Sequence, residues 1–304
     1  MVVNANRMVA AVAVGIATIS CARADRPLLV QEAFEDTAFA ARGWYDNTGM
    51  VIVDSVHSAG STRSLELHFR AGATAPTGSG GMRHRFPPTP SVYLSYWVRY
   101  SPNWVGSGQP YHPHEFYFLT TEDDAYAGPA FNHLTAYIED NYQNGGIPVL
   151  AVQDGMNIDQ TLIGSDLTAL SEQRAVAGCN GNSDGYPTDC YPMGNGQYDN
   201  GKSWKASQPY FLATPGPGYK STWHFVEAYF QFNSIQNGIG VADGIVRYWV
   251  DGQLAIEHAN VLLRSGAHPN QLFNQLLIGP YIGAGSPIDQ TIWVDNLRVA
   301  TAKP

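Results

Sequence analysis

The chain has 304 residues, of which 44% are hydrophobic and only 14% are charged, so apolar side chains are plentiful enough for a sizeable core. Its 31 glycines, 19 prolines, 17 tyrosines and 7 tryptophans are typical of turn-rich β proteins with aromatic faces. The formal net charge of −9 at pH 7 argues against nucleic acid as a partner, because phosphate backbones attract cationic surfaces.

The first residues have the pattern of an export signal. Arg7 supplies a positive start, residues 8–20 form a short apolar run, and Ala22 and Ala24 are the small residues that a signal peptidase reads. The apolar run is too short for a permanent membrane helix. We therefore predict a signal peptide over residues 1–24 and exclude it from the fold.

The remaining residues 25–304 are predicted to form one domain, since no linker interrupts them. The export signal predicts that this domain is secreted or periplasmic. A lipoprotein signal ending at Cys21 is the alternative, but Thr18 stands where such signals carry a leucine-like residue. No amphipathic helix or polybasic run indicates membrane binding after cleavage.

Alternation of apolar and polar residues recurs along the chain between turn signals, and helical periodicity is nearly absent. This pattern predicts an all-β sandwich. Strands are expected at residues 50–55, 64–70, 81–86, 92–100, 115–120, 134–139, 148–153, 223–232, 244–250, 275–279 and 290–300. The Asp251-Gly252 turn predicts that residues 253–258 complete a hairpin, and residues 261–276 could hold a helical turn.

The stretch 154–220 differs from the rest, because it is rich in Gly, Asn, Asp and Pro. So long an irregular segment in a compact domain is usually functional or a mobile insertion, and we expect it to cover one rim of the sandwich. Cys179 and Cys190 flank a short polar segment within it, which in an oxidising compartment predicts a disulfide. A metal site is a poor alternative, because no histidine lies nearby to complete a ligand set.

Alternation also predicts which side chains share a face, since successive residues of a strand point to opposite sides. In the segment 223–233, one face is apolar and the other combines aromatic and hydrogen-bonding side chains, and the same division recurs in four other strands. If these strands share a sheet, its outer face presents Trp97, Arg99, Glu115, Tyr117, His133, Tyr137, Glu139, Glu227, Tyr229, Gln231, Arg247 and Trp249. Aromatic side chains beside paired polar groups can bind sugars, because the rings stack on C–H faces and the polar groups bind hydroxyls. Alternatively, these aromatic side chains pack beneath the long loop.

Short motifs in this chain resemble concanavalin-like jelly rolls of the polysaccharide-lyase-like group, which includes glucuronan lyases and the cellulose-induced fungal proteins. The resemblance covers most of the mature chain and rests on Phe34-Glu35-Asp36, Gly43-Trp44, residues 60–67, Phe86-Pro87-Pro88, residues 96–102, His114-Glu115-Phe116, residues 223–233, residues 249–252 and residues 293–297. It implies a two-sheet antiparallel jelly roll with a substrate groove on the concave sheet. A polysaccharide is the expected partner, and the protein is predicted to be a monomer.

The same resemblance implies a structural calcium ion. In such jelly rolls an acidic residue of the opening motif meets an aspartate of the closing strand, which here would be Glu35 and Asp295. Carboxylate and carbonyl oxygens are the ligands that Ca²⁺ prefers. Two rim carboxylates without a metal are the alternative.

A lyase acting on a uronate needs a group that neutralises the sugar carboxylate, a base for the C5 proton and an acid for the leaving oxygen. Arg99, together with Gln231 or Arg247, is a candidate for the first role.

Histidines and tyrosines supply candidates for the two proton transfers. We expect the base to be His114 or His133, and Tyr117, Tyr137 or Tyr229 to act as acid or base. Trp97, Glu139, Glu227 and Trp249 are predicted to bind the substrate.

Glu115 departs from the resembled motif, because the family has a second histidine at that position. It motivates an alternative in which Glu115 with Glu227, or with Glu139, forms the carboxylate pair of a glycoside hydrolase. A non-catalytic carbohydrate-binding protein is the third hypothesis, since it requires only the aromatic face.

Overall fold

The computed structural model describes residue 1 and residues 27–303, apart from 79, 109–113, 121–133, 143–144, 155–201, 265 and 267–268. Within this part of the chain there is one 3-10 helix, Phe39–Arg42, and the rest of the regular structure is strand. The strands are β1 Leu28–Glu32, β2 Trp44–Asp46, β3 Val51–Val53, β4 Ser64–Phe69, β5 Met82–Thr89, β6 Ser91–Tyr100, β7 His114–Leu119, β8 Leu134–Tyr142, β9 Ile147–Asp154, β10 Lys202–Lys205, β11 His224–Gln231, β12 Ile235–Gln236, β13 Ile239–Gly240, β14 Gly244–Val250, β15 Gln253–Val261, β16 Phe273–Tyr281 and β17 Gln290–Ala300. None of the described helical residues form a span long and apolar enough to cross a membrane.

The strands form two antiparallel sheets. Sheet A has the order β15-β14-β11-β6-β17-β4-β3, with β1 also paired to β17, and sheet B has the order β10-β9-β8-β7-β16-β5-β2. The short strands β12 and β13 pair separately. Two antiparallel sheets with almost no helix are a jelly-roll sandwich, so the predicted fold class is confirmed.

The core lies between the sheets and follows from the period-2 pattern. In β11, Val226, Ala228 and Phe230 are buried in the core, whereas Phe225 and Tyr229 point to the other side of the strand and are partly exposed. Phe118 of sheet B meets Phe230 of sheet A, with 6.4 Å between ring centroids. Such aromatic contacts join the two sheets into one hydrophobic core.

The structure corrects two boundaries of the sequence prediction. Residues 261–276 hold no described helical turn, because β15 extends to Val261 and β16 begins at Phe273. The segment 154–220 is not irregular throughout, since β10 lies within it and extends sheet B by pairing with β9. Cys179 and Cys190 lie outside the described residues, and their disulfide stays a prediction.

Candidate functional site

The aromatic and polar residues expected on one face belong to two different sheets. Strands β6, β11 and β14 are neighbours in sheet A, whereas β7 and β8 are neighbours in sheet B. Because the core separates the sheets, the outer faces of A and B look to opposite sides of the sandwich. The predicted set therefore forms two separate surfaces.

On sheet B, one row of side chains crosses five neighbouring strands. Its members are Cα partners in the order Tyr45, Arg83, Leu277, Tyr117 and Tyr137, and we call them the sheet B row.

The sheet B row lies on the outer face, because the residues adjoining its members point inward. The adjoining Trp44, Met82, Phe116, Phe118, Ala136, Ile138, Leu276 and Ile278 all belong to the inter-sheet core. Tyr117, Tyr137 and Leu277 instead form a second buried cluster with Val149 and Ala151. Alternation thus assigns every member of the row to the side away from the core.

One end of the row combines a cation, a phenol and an amide. The Arg83 side chain is only 3% exposed, pairs through its Nε with the carboxylate of Asp46, and has its guanidinium carbon 5.0 Å from the centroid of the Tyr45 ring. The Tyr45 hydroxyl donates a hydrogen bond of 3.2 Å to Oε1 of the buried Gln275. Guanidinium and amide groups are the donors that bind carboxylates, so this end of the row has the chemistry to hold an acidic sugar.

Two tyrosines occupy the other end of the row. The rings of Tyr117 and Tyr137 meet edge to face, with centroids 4.7 Å apart. Gly279 makes room for them, since a Cβ built on it would lie 2.9 Å from a ring carbon of Tyr117. Paired phenols can take up and donate protons, and both were among the residues proposed from the sequence as acid or base.

Glu115 lies in the inter-sheet core and not on this outer face. Its Oε1 accepts a hydrogen bond of 2.6 Å from the Tyr100 hydroxyl, and its Oε2 accepts one of 2.7 Å from the backbone N–H of Asp140. Asp140 Oδ1 in turn accepts hydrogen bonds from the hydroxyls of Tyr96, at 2.7 Å, and Tyr248. We call Glu115 and Asp140 the buried carboxyl pair.

Burial dominates the electrostatics of this pair. Burial, with the charge of Asp140 as a second cause, raises the pKa of Glu115 well above its usual range. Burial also raises the pKa of Asp140 to about 6, although the hydroxyls of Tyr248 and Tyr96 oppose that shift. The hydrogen bonds of Glu115 are with Tyr100 and Asp140 and not with the sheet B row.

The other predicted residues of sheet B are only partly described. Glu139 is buried and follows Tyr137 by two residues, which places it on the same side of β8 by alternation. His114 is described through its backbone, which pairs with Tyr281 at the start of β7. His133 lies outside the described residues, so the histidine candidates for the base stay predictions.

The predicted neutralising residues lie on the outer face of sheet A. Arg99 is the Cα partner of Trp293, and its guanidinium carbon is 5.7 Å from that ring. Arg247 forms an ion pair of 2.9 Å with Glu257.

Tyr229 and Gln231 lie on the same outer face of sheet A. The Tyr229 hydroxyl donates a hydrogen bond of 2.7 Å to Gln231 Oε1. These two and the predicted neutralising arginines are thus on the side of the sandwich opposite to Tyr117 and Tyr137.

The predicted substrate-binding residues of sheet A form part of the same surface. Trp97 contacts Phe225, with 5.2 Å between ring centroids. Glu227 accepts a hydrogen bond of 2.6 Å from Tyr93 and pairs with Lys303 at 2.9 Å. Lys303 also lies 4.2 Å from the centroid of the Trp249 ring.

The proposed calcium ligands Glu35 and Asp295 both anchor the loop that precedes β4. Asp295 accepts hydrogen bonds of 2.9 and 3.0 Å from the Ser58 N–H and the Ser61 hydroxyl, and Glu35 accepts bonds from the Thr62 N–H, at 3.0 Å, and the Thr62 hydroxyl. Their oxygens suit a hard cation in kind, but each already has a protein donor, and no cluster of three or more His, Cys, Asp or Glu occurs among the described residues. Hydrogen bonds alone account for the arrangement, and calcium stays a prediction.

Comparison with known proteins supports the fold through solved structures. An alginate lyase from Aplysia kurodai of the PL-14 type shares 14% sequence identity, with a TM-score of 0.56 over 90% of this chain and 98% of that one. The alginate lyase vAL-1 from a Chlorella virus shares 14% identity, with a TM-score of 0.51 over 91% and 99%. A variant of alginate lyase Aly36B in complex with an alginate trisaccharide shares 16% identity, with a TM-score of 0.53 over 91% and 99%.

This chain has the jelly-roll fold of those lyases. The resemblance seen in its short sequence motifs is therefore confirmed at the level of the fold. No protein-family model and no curated protein sequence matches the chain. At such low identity the likeness establishes the architecture alone.

Sequence reasoning missed three residues of the site: Tyr45, Arg83 and Gln275. The alternation of β5 and β16 was visible in the sequence, but β2 is only three residues long and has no comparable pattern. Their proximity to Tyr117 arises from pairing between strands far apart in the chain, which periodicity does not reveal.

Proposed function

We propose that this chain is a polysaccharide lyase that cleaves a uronate-containing polysaccharide by β-elimination on the outer face of sheet B. The sheet B row carries the proposal, because it aligns the buried Arg83 with Tyr117 and Tyr137, and Gln275 adjoins it. This face supplies together the carboxylate-binding and proton-transfer groups that elimination requires.

In the proposed reaction, Arg83 and Gln275 bind the uronate carboxylate and stabilise the negative charge that develops on it when the C5 proton leaves. One of the two tyrosines, Tyr117 or Tyr137, acts as an ionised phenolate and removes that proton as the C4–C5 double bond forms, while the other tyrosine is a protonated phenol. The C4–oxygen bond breaks, and the leaving oxygen takes a proton from the phenol of the other tyrosine of this pair. The two rings lie 4.7 Å apart, so both proton transfers can occur at one end of the row.

The place of action is part of the same proposal. The leader pattern of residues 1–24 supports export to the medium or the periplasm, where polysaccharide substrates occur. An enzyme with this signal would reach its substrate as a mature chain that begins near residue 25.

The test is incubation with a panel of polyuronates while recording the ultraviolet absorbance of the unsaturated product. Tyr117→Phe and Tyr137→Phe each remove one hydroxyl, and loss of a general acid or base is expected to lower kcat by about a hundredfold or more. Tyr281→Phe is the matched control, because it makes the same change on an exposed side chain at the end of β16. Wild-type rates in both row variants would overturn the assignment of these phenols.

A hydrolase with paired glutamates is supported less well by the geometry. Glu115 is bonded within the core, whereas Glu227 lies on the outer face of sheet A. These two carboxylates therefore do not flank a common groove. Release of reducing ends from a neutral glycan, without the absorbance of an unsaturated product, would favour the hydrolase instead.

A further inference from the structure

The outer face of sheet A presents partly exposed aromatic side chains that the proposed cleavage site does not use. Trp97, Phe225, Trp249 and Trp293 lie on four neighbouring strands, β6, β11, β14 and β17. With Arg99 they form what we call the aromatic band. Strands about 4.8 Å apart give this band a width of roughly 14 Å, enough to contact several sugar rings.

We propose that the aromatic band is a second glycan-binding surface, which holds an acidic polysaccharide on the side of the molecule opposite to the sheet B row. This proposal does not rest on the proposed cleavage, since binding at the band requires no reaction at sheet B.

The geometry of the band suits a sugar chain. The ring centroids of Trp97 and Phe225 are 5.2 Å apart and the ring planes are inclined at 49°, so the two rings form a tilted aromatic surface and are not stacked in parallel. Trp293 donates its indole N–H to Glu66, in a hydrogen bond of 3.0 Å that fixes the ring on the outer face. Fixed rings can stack on the C–H faces of sugars with little loss of conformational entropy.

The charges around the band favour an acidic ligand over a neutral one. Arg99 lies over the Trp293 ring and forms no salt bridge with any described carboxylate, and its Nε is shielded from solvent and has no acceptor in the described part of the chain. Arg298 of β17 is exposed on the same face, and it likewise forms no salt bridge with any described residue. On a chain of net charge −9, these two arginines provide local attraction for uronate carboxylates.

Two carboxylates of this face already have an ion-pair or hydrogen-bond partner, so they repel a polyanion less than free carboxylates would. Glu227 pairs with Lys303, and Glu66 accepts the hydrogen bond from Trp293. Lys303 also covers part of Trp249, with its Nζ 4.2 Å from the ring centroid. Lys303 thus packs against Trp249 at one end of the band.

The test measures binding of sodium alginate, polygalacturonate and neutral dextran by isothermal titration calorimetry. All measurements use the Tyr117→Phe background, so that slow turnover does not distort the heats. The double variant Trp97→Ala/Trp249→Ala is expected to weaken binding of a polyuronate at least about tenfold, as loss of aromatic anchors does. Ile239→Ala serves as the control, because it truncates an exposed apolar side chain in the separate β12–β13 pair and should leave the Kd unchanged.

Arg99→Gln separates charge from stacking. It keeps a long side chain beside Trp293 and is expected to weaken polyuronate binding and lower its salt dependence, while dextran binding stays as weak as before. Thermal melting of each variant identifies any loss of folding, and gel filtration tests for self-association. An unchanged Kd in both folded band variants, or a dimer that dissociates when the band is altered, would overturn the proposal.

The same titrations distinguish failure of the two proposals. A protein that retains polyuronate through the band but forms no unsaturated product supports the second surface and contradicts the lyase. Cleavage by a protein whose folded band variants bind normally supports the lyase and contradicts the second surface.

Discussion

The buried carboxyl pair makes the stability of this fold depend on pH in a direction opposite to that of most acidic groups. Asp140 is fully buried, and its Oδ1 accepts hydrogen bonds from Tyr96 and Tyr248, whereas no donor among the described residues reaches its Oδ2. Asp140→Asn keeps an oxygen for the two phenols and removes the ionisable group. The substitution therefore isolates the effect of the buried charge.

The size of the effect follows from the pKa. Burial raises the pKa of Asp140 from 3.8 to about 6, which is roughly two units, and each unit corresponds to about 1.4 kcal/mol. Because the pKa of Asp140 is higher in the folded chain than in the unfolded chain, its contribution to the free energy of unfolding is greatest below about pH 4, where the carboxyl is protonated in both states. This contribution is lost as the pH rises through about 6. Ionisation of Asp140 thus removes roughly 3 kcal/mol from the free energy of unfolding, and Asp140→Asn should abolish most of that loss.

The assay is urea denaturation of both proteins at a series of pH values from about 4 to about 8, followed by tryptophan fluorescence. The free energy of unfolding of the wild type should fall relative to that of the variant as the pH rises. Asp243→Asn is the control of opposite sign, because hydrogen bonds from Ser234 lower the pKa of Asp243, whose contribution is present at neutral pH and lost as the pH falls. Parallel stability curves for the wild type and Asp140→Asn would refute the argument.

Three further predictions concern other parts of the fold. If Glu35 and Asp295 bind calcium, chelation should lower the Tm and added calcium should restore it in the wild type but not in Glu35→Gln; a Tm insensitive to both would contradict the metal site. Gly279→Ala should press a methyl group against the Tyr117 ring, where the Cβ would stand 2.9 Å from a ring carbon, and against Leu277, and so lower both kcat/KM and the Tm; unchanged kinetics would show that the ring is not held there. Phe118→Ala should cost about 3–5 kcal/mol in urea denaturation because its fully buried ring joins the two sheets, and a loss below about 1 kcal/mol would mean that the core collapses around the gap.

Local pattern was sufficient to predict many of the strands. The predicted ranges 244–250 and 290–300 coincide with β14 and β17. Both are long strands in which apolar residues alternate with polar or aromatic ones, and this alternation is a property of the sequence alone. The strand β10 was missed because it is only four residues long and lies within a polar segment.

The candidate site was predicted only in part. Alternation predicted that Tyr117 and Tyr137 point away from the apolar side of their strands, and the structure brings their two rings into contact. It offered no reason to select Arg83, because one arginine on a half-exposed strand resembles any other. Arg83 becomes notable only through its burial and its contact with Tyr45.

The sequence by itself determined that the chain is all-β and which side of most strands is apolar, because side-chain direction has a period of two residues. Tertiary structure decided that these outward faces form two surfaces on opposite sides of a sandwich. Tyr45 and Gln275 are joined by a hydrogen bond although 230 residues separate them, and no local pattern encodes such a contact. Which strands share a sheet depends on long-range backbone pairing, so only the folded chain could separate the sheet B row from the aromatic band.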